Sequence, residues 1–227
     1  MSKVLVLGGS GMLGAEMVSV LSERGHEASA TYRTSVAPIQ GVAQYNWRAE
    51  SSLGELLDHV RPMYVVNCIG LIKQVSSDTK KLFATNCEFP KRLSLACKAS
   101  GVRLIHISTD CVFSGRQGMY TEEDAHDAED DYGLSKSQGE CPDDSMVLRT
   151  SIIGRATAKV SLLEWVLNYK GDSIPGFTNH LWNGMTTTQL AKCCDTIITS
   201  NLYVHSVRHI FTEQEMSKFD LINLIID

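Results

Sequence analysis

Three glycines near the start of the chain constrain its fold more than any other feature. They are spaced Gly8-x-x-Gly11-x-x-Gly14, after an apolar run at residues 4–7 and before a helical pattern at 12–24. Glycine at these points allows a sharp turn, close approach of a diphosphate to the backbone, and tight packing of the helix. The N-terminus of that helix would present unpaired N–H groups and a positive dipole to phosphates. The pattern therefore predicts a dinucleotide-binding βα unit.

The rest of the chain continues the same alternation of short apolar runs and amphipathic segments of helical length, which predicts βαβ units on a parallel sheet. We expect an α/β protein with a Rossmann-type doubly wound parallel sheet. Residues 1–150 would form the dinucleotide-binding domain. Residues 151–227 would form a small α/β substrate lobe, short or truncated and partly interleaved with the first domain. Predicted strands cover 3–7, 27–32, 63–68, 102–108, 146–149, 178–182 and 207–211; predicted helices cover 12–24, 53–60, 79–99, 132–141, 160–170 and 188–200. A capping-box pattern, Thr212-x-x-Glu215, predicts one more helix after residue 212.

Composition excludes several classes of protein. The 21 basic and 26 acidic side chains give a net charge of −5, which argues against binding nucleic acid or an anionic membrane. No apolar run is long enough to span a bilayer, and no secretion signal is recognisable, so we expect a cytoplasmic location. Seven cysteines at irregular spacing, without a C-x-x-C pair, predict reduced thiols and no metal site.

An acidic segment at residues 121–131 has two interpretations. Its seven carboxylates could form a charged lid or a metal site, or they could be a solvated surface loop. The sequence offers no partner cluster for them elsewhere, so we favour the solvated loop.

The end of the second predicted strand indicates the cofactor. An acidic residue there would hold the ribose hydroxyls of NAD, whereas this chain has Arg33 followed by Thr34 and Ser35. An arginine can stack on adenine and pair with a 2′-phosphate. We therefore expect NADP(H) to be favoured over NAD(H), the alternative being an arginine that merely lies on the surface.

Two side chains predict acid–base chemistry. Tyr132 and Lys136 are separated by four residues, so on a helix they share one face. An ammonium group near a phenol lowers its pKa, and the pair can then exchange a proton with a carbonyl oxygen. Upstream, Ser108 and Thr109 end a predicted strand, where their hydroxyls would either bind the reacting oxygen or only form a turn.

Taken together, these motifs resemble those of the extended short-chain dehydrogenase/reductases, and most of all the dTDP-4-dehydrorhamnose reductase group. The resemblance covers residues 3–150 with the motifs in order, and is looser over 151–227. The motifs are the glycine loop, Asn67, Ser108-Thr109-Asp110, Tyr132-x-x-x-Lys136, Gly139-Glu140 and Leu148-Arg149-Thr150.

The resemblance implies NADPH-dependent reduction of a 4-keto nucleotide sugar in surface polysaccharide biosynthesis. Thr109, Tyr132 and Lys136 would be the catalytic residues. Tyr132 would donate the proton, Lys136 would hold the nicotinamide ribose, and Thr109 would orient the carbonyl. Implied cofactor contacts are Gly8, Ser10, Gly11, Met12, Leu13, Gly14, Arg33, Asn46, Asn67, Cys68, Ile69, Gly70, Tyr132 and Lys136.

Some positions depart from the group. Cys111 stands where rhamnose reductases usually have tyrosine and where dehydratases of the wider family have glutamate, which argues against dehydration. The reductase/epimerases that make GDP-fucose have a cysteine at this spacing, working with a histidine. Cys111 and His180 could form such an acid–base couple, or both could be structural. Candidate substrate contacts are Cys111, Val112, Phe113, His180 and Trp182, with core packing the alternative for Trp182.

Two other expectations follow from the resemblance. The regulatory subunit of methionine adenosyltransferase resembles the same group, so a non-catalytic NADP-binding subunit is the alternative to an enzyme. A homodimer is a further expectation, because many short-chain dehydrogenases pair two helices across a dimer, although no helix here shows a decisive exposed apolar stripe.

Overall fold

Alternating burial explains the central strands. Val4 and Val6 of the first strand face one side of the sheet, and Leu5 and Leu7 face the other; all four are completely buried. A strand that is apolar on both faces is typical of a parallel sheet covered by helices on both sides. The computed structural model describes residues 1–33, 42–48, 51–155 and 161–226.

Among the described residues, the strands in chain order are Lys3–Leu7 (β1), Glu27–Tyr32 (β2), Ala43–Asn46 (β3), Tyr64–Asn67 (β4), Arg103–Ile107 (β5), Met146–Thr150 (β6), Ile152–Ile153 (β7), Leu181–Trp182 (β8), Met185–Thr186 (β9), Ser206–Ile210 (β10) and Met216–Ser217 (β11). Seven of them form the main parallel sheet, in the order β10-β6-β5-β4-β1-β2-β3. The order reverses between β1 and β4, and ligands of such sheets bind outside the carboxyl ends of the strands at that point. The predicted Rossmann-type doubly wound sheet is confirmed.

Helices cover both faces. They are Met12–Glu23 (α1), Leu53–Val60 (α2), Thr79–Phe83 (α3), Phe89–Ala99 (α4), Asp131–Gln138 (α5), Leu162–Leu167 (α6), Thr187–Thr199 (α7) and Lys218–Ile226 (α8). One face packs against α1 and α7, and the other against α2 and α4. A π-helical turn at Ala84–Glu88 joins α3 to α4, so the predicted helix at 79–99 is continuous but wider at one turn.

The second part of the chain returns to the first. Strand β10 pairs with β6, and α7 packs against α1. The remainder of residues 151–226 consists of α6, α8 and two small sheets, β7 with β9 and β8 with β11. A separate substrate lobe at 151–227 stays a prediction.

Three local predictions need correction. Strand β3 was not predicted, and the strand expected at 178–182 is only Leu181–Trp182. The expected cap at Thr212 is wrong, because α8 begins at Lys218 and the Ser217 hydroxyl accepts from the Asp220 backbone N–H at 3.0 Å. The Thr212 hydroxyl instead donates to the Asn183 carbonyl at 3.0 Å.

Candidate active site

The glycine loop lies between β1 and α1, as predicted. Gly8 has a φ of +85°, which a residue with a side chain rarely adopts. A β-carbon on Gly14 would lie 2.1 Å from the Gly8 carbonyl oxygen, so only glycine allows α1 to start this close to the strand. The geometry therefore requires the glycines at both positions.

The start of α1 suits a phosphate group. Gly11 is its N-cap, no side chain caps it, and its first turn has no acidic residue. The predicted contacts Ser10, Met12 and Leu13 lie at this helix start, and Leu13 is buried. Uncapped N–H groups at a helix N-terminus favour an anion, so the described residues fit a dinucleotide diphosphate.

The predicted ribose contacts lie at the same edge of the sheet. Tyr32 and Asn46 are register partners on β2 and β3, and Arg33 follows Tyr32 directly. Arg33 and Asn46 are both exposed at this edge. Thr34 and Ser35, the other predicted donors, lie outside the described residues.

The segment after β4 lies beside the glycine loop. Cys68 donates its backbone N–H to the Leu7 carbonyl at 3.1 Å, and Ile69 lies against Gly8. Burial raises the pKa of the Cys68 thiol to about 12, so it is protonated at neutral pH. Gly70 follows and is exposed. These three residues are therefore placed where a cofactor bound at the loop would pass.

Asn67 has a structural task in this arrangement. It is completely buried, its Oδ1 accepts the Ile69 backbone N–H at 3.1 Å, and its Nδ2 contacts His106 Nδ1 at 3.0 Å. An amide nitrogen donates, so His106 Nδ1 accepts. Asn67 thus shapes the loop that would contact the cofactor, while its side chain is already engaged.

Thr109, Tyr132 and Lys136 converge at the end of β5. The side chains of Thr109 and Tyr132 are close enough to interact, and the Thr109 hydroxyl donates to Asp110 Oδ1 at 3.1 Å. Lys136 is buried and donates to the Ile107 carbonyl at 2.7 Å, two residues before Thr109. The structure therefore brings together the three residues predicted to be catalytic.

The ionisation of this group differs in one respect from the sequence expectation. Burial raises the pKa of Tyr132, and the nearby Thr109 side chain opposes the increase. Burial lowers the pKa of Lys136 to about 8, while the charge of Glu140 raises it. The lowering of the Tyr132 pKa that Lys136 was expected to cause is therefore not observed. A protonated phenol and a largely protonated amine at neutral pH suit proton donation.

Two contacts position the helix that carries Tyr132. Asp130 is the N-cap of α5 and accepts the Gly133 N–H at 2.8 Å, and Lys73 pairs with Asp130 at 2.9 Å. A β-carbon on Gly133 would lie 2.3 Å from the Cys111 carbonyl oxygen. The helix start is thus seated directly on the turn that follows Thr109.

Asn86 is a site residue that sequence reasoning missed. It lies in the π-helical turn and is fully buried. Its Nδ2 donates to the Leu71 carbonyl at 2.8 Å and to the Ser135 hydroxyl at 3.1 Å, and its Oδ1 accepts the Leu71 N–H at 2.8 Å. Asparagine inside a predicted helix is unfavourable, and that was the one signal available.

The acidic segment at 121–131 is a surface loop, as favoured, but its carboxylates have partners. Asp127 accepts hydrogen bonds from the backbone and hydroxyl of Ser114, and Glu129 pairs with Arg116. Among the described residues no group of three or more His, Cys, Asp or Glu side chains could hold a metal ion. These contacts thus hold the loop against the segment that precedes it.

The predicted substrate contacts differ in their exposure to solvent. Val112 is completely buried, and its part as a substrate contact stays a prediction. Phe113 stacks on Tyr120 with centroids 4.3 Å apart and lies beneath Arg149. Cys111 is exposed on the turn Asp110–Val112.

His180 and Trp182 also have partners of their own. His180 is exposed and stacks on Phe177 at 4.7 Å, and the Trp182 Nε1–H donates to the Ser151 hydroxyl at 2.9 Å. A Cys111–His180 couple stays a hypothesis.

Fold and site together define a Rossmann-type α/β protein in which Thr109, Tyr132 and Lys136 lie near one another at the carboxyl edge of the main sheet. The sequence matches the RmlD substrate binding domain family over residues 2–227, and the chain belongs to that family. No described helix is long and apolar enough to cross a membrane.

The chain is also similar to individual proteins. The chain is 34% identical to a dTDP-4-dehydrorhamnose reductase of Streptomyces griseus over 156 residues, 65% of this chain and 48% of that protein. It is 26% identical to methionine adenosyltransferase 2 subunit beta of Danio rerio, over 99% of this chain and 73% of that protein. The chain thus spans about half the length of the first of these relatives.

A solved structure has the same fold. It is described as a hypothetical dTDP-4-dehydrorhamnose reductase from Sulfolobus tokodaii. It superposes with a TM-score of 0.83 at 27% identity, covering 98% of this chain and 81% of the other.

Proposed function

We propose that the protein is an NADPH-dependent reductase of a 4-keto nucleotide sugar, acting in surface polysaccharide biosynthesis. The observation that carries the proposal is the convergence of Thr109, Tyr132 and Lys136, with Lys136 near Cys68 in the segment that lies beside the glycine loop. The reductase name of the S. griseus relative supports the same class of reaction.

The side chains divide the chemistry. A nicotinamide dinucleotide bound at residues 8–14 would supply the hydride. The Tyr132 hydroxyl would donate its proton to the carbonyl oxygen, so that hydride and proton together convert the ketone into an alcohol. Thr109 would orient that oxygen. The Lys136 ammonium would stabilise the Tyr132 phenolate that proton transfer leaves.

The cofactor preference rests on charge. The exposed Arg33 guanidinium at the end of β2 suits a 2′-phosphate, and no acidic residue stands at that position. The net charge of −5 means that anionic ligands must be held by local donors such as the helix N-terminus, Arg33 and Lys136.

A homodimer and a cytoplasmic location belong to the same proposal.

A thermal-shift screen followed by an activity assay tests the proposal. NADPH and NADH are each combined with UDP-, GDP- and dTDP-sugars, and stabilisation reports binding by mass action. Sugars that bind are then offered as 4-keto derivatives, and NADPH oxidation is followed. We expect stabilisation by NADPH and oxidation with at least one sugar. If no 4-keto sugar causes NADPH oxidation, the proposal that the protein is a reductase is contradicted.

A second candidate is a non-catalytic regulatory subunit. The match to the D. rerio protein, which extends over 99% of this chain, favours it. Stabilisation by NADPH without reduction of any candidate sugar is the result that this alternative predicts.

A further inference from the structure

Glu140 connects two parts of the candidate site that are far apart in sequence. Its Oε1 accepts a hydrogen bond of 2.5 Å from the hydroxyl of Ser108, the residue before Thr109. Glu140 itself lies two residues beyond the end of α5, the helix of Tyr132 and Lys136. One carboxylate therefore joins the end of β5 to the helix whose side chains face it.

Arg149 of β6 holds that carboxylate from the other side. Its Nε lies 3.0 Å from Oε1 of Glu140 and its Nη2 lies 2.8 Å from Oε2, a two-pronged pairing. Both side chains are only 4% exposed. A buried carboxylate is costly unless it is paired and hydrogen-bonded, so Glu140 has little freedom to move.

The remaining N–H groups of Arg149 are also engaged. Nη2 contacts His126 Nε2 at 2.5 Å, while Nη1 contacts His209 Nε2 at 3.3 Å and the Glu122 carbonyl at 3.4 Å. The Phe113 ring lies 5.3 Å from the guanidinium carbon. Because these contacts fix the guanidinium in one orientation, Arg149 holds Glu140 in one orientation too.

Glu140 also acts on Lys136. The amine is buried, and its Nζ donates to the Ile107 carbonyl. The titratable groups that act on it or respond to it are Glu140 beyond its own helix, Cys68 after β4, and His106 on β5. Burial lowers the Lys136 pKa, and the charge of Glu140 is the largest influence that opposes this lowering.

We infer that Glu140 is a positioning residue of the site: held by Arg149, it fixes the strand end of Thr109 through Ser108 and directs its negative charge toward the helix that carries Lys136. Glu140 does not need to touch the substrate for this. The inference rests on the proposed function, because it assigns Glu140 its part in that reaction.

Two variants of the full chain separate the two effects. Ser108→Ala removes the tie to the strand and leaves the ion pair with Arg149. Glu140→Gln keeps the size of the side chain and removes its charge. Glu123→Gln, on the exposed loop, is the matched control. Circular dichroism establishes that each variant is folded. The Lys136 signal in a lysine-labelled NMR spectrum is identified by its loss in Lys136→Met.

In Glu140→Gln we expect Lys136 to titrate at lower pH than in wild type. As the pH is raised, reduction by this variant should then begin to decline at a lower pH than in wild type, because the amine loses its proton earlier. Activity should return when the pH is lowered again. In Ser108→Ala we expect unchanged Lys136 titration, but roughly tenfold lower kcat with little change in KM, as for one lost hydrogen bond. Glu123→Gln should match wild type in every measurement.

Either of two results overturns the inference: Lys136 in Glu140→Gln titrates as in wild type, or Ser108→Ala keeps its kcat. If Glu140→Gln does not fold, Ser108→Ala decides alone. If wild type reduces no 4-keto sugar, the proposed function fails but the NMR titration still tests the relation of Glu140 to Lys136. Amide hydrogen exchange at Thr109 and Cys111 then replaces kcat, with faster exchange expected in Ser108→Ala.

Discussion

The Nη2 of Arg149 lies 2.5 Å from the Nε2 of His126. A guanidinium group only donates, so His126 must accept through Nε2 and carry its proton on Nδ1, which lies 2.5 Å from the Ser137 hydroxyl. A neutral His126 in one tautomer therefore joins the 121–131 loop to β6 and to α5.

This arrangement makes stability depend on pH. Burial lowers the His126 pKa below 6.5, while the charge of Glu140 opposes this and that of Arg149 adds to it. Burial and the charge of Lys136 lower the His106 pKa further. The unfolded chain binds these protons more readily, so stability is full above about pH 6.5 and falls as the pH is lowered from there. Urea unfolding between pH 5 and 7.5 measures the slope (roughly the window of histidine titration).

His126→Gln should reduce that slope, because glutamine keeps an acceptor for Arg149 and cannot be protonated. His106 would supply the part that remains. His205→Gln is the control, since His205 is exposed, and it should leave the slope unchanged. A wild-type slope in His126→Gln would contradict the assignment of a neutral His126.

Two helical glycines form a matched pair for testing the phosphate loop. A β-carbon at Gly14 would meet the Gly8 carbonyl oxygen at 2.1 Å, whereas at Gly54 the nearest atom is the Ser52 hydroxyl at 3.9 Å. Gly14→Ala should therefore cost about 1–3 kcal/mol of unfolding free energy and weaken dinucleotide binding. Gly54→Ala should be neutral or slightly stabilising. Thermal unfolding and NADPH titration of both variants measure the two effects. Equal behaviour of the two variants would contradict the conclusion that a β-carbon at position 14 collides with Gly8.

Tyr132→Phe tests the proton donor. The variant keeps the ring and loses the hydroxyl that Thr109 contacts, so reduction should fall by about 10²–10⁴-fold while NADPH binding persists. Tyr120→Phe is the control, because Tyr120 stacks on Phe113 and its hydroxyl contacts Asp127 outside the triad. Steady-state kinetics and cofactor titration on both variants provide the comparison. If Tyr132→Phe kept its turnover, Tyr132 would not be the proton donor.

Arg33→Ala tests the cofactor preference. Loss of a charge-assisted hydrogen bond to a 2′-phosphate should weaken NADPH binding by roughly tenfold or more and leave NADH binding nearly unchanged. Arg24→Ala, beyond the end of α1, should affect neither cofactor. Fluorescence titration gives the four dissociation constants. An equal loss of affinity for both dinucleotides would mean that Arg33 does not recognise the 2′-phosphate.

Local patterns explain which features could be read from the sequence. The three glycines of the loop lie within seven consecutive residues. Tyr132 and Lys136 are about one helical turn apart in the sequence. Both are short-range constraints, and the structure has the loop and the helix where they were predicted.

Features made by distant residues were missed. Arg149 meets residues 9, 23 and 60 positions away, a set that no local pattern encodes. The same limit applies to Asn86, whose partners lie in two other segments, and to strand β3, whose pattern of burial does not alternate clearly. The capping signal at Thr212 was outcompeted because Ser217 and Asp220 form a reciprocal pair just before and within α8.

Cys111→Ser distinguishes plain reduction from reduction with epimerisation. Although part of Cys111 is exposed, neighbouring protein atoms shield its thiol from water and raise its pKa to about 11, and the charge of Asp110 raises it further, so the group is a thiol at neutral pH. A thiol is a poor base for removing a proton beside a ketone. We therefore expect no deuterium from heavy water at the carbons adjacent to the ketone, and we expect Cys111→Ser to reduce its substrate at a rate close to wild type. Mass spectrometry of substrate and product measures the exchange. Deuterium incorporation by wild type that disappears in both Cys111→Ser and His180→Asn would establish the acid–base couple instead, since only a paired thiolate and imidazolium would depend on both residues.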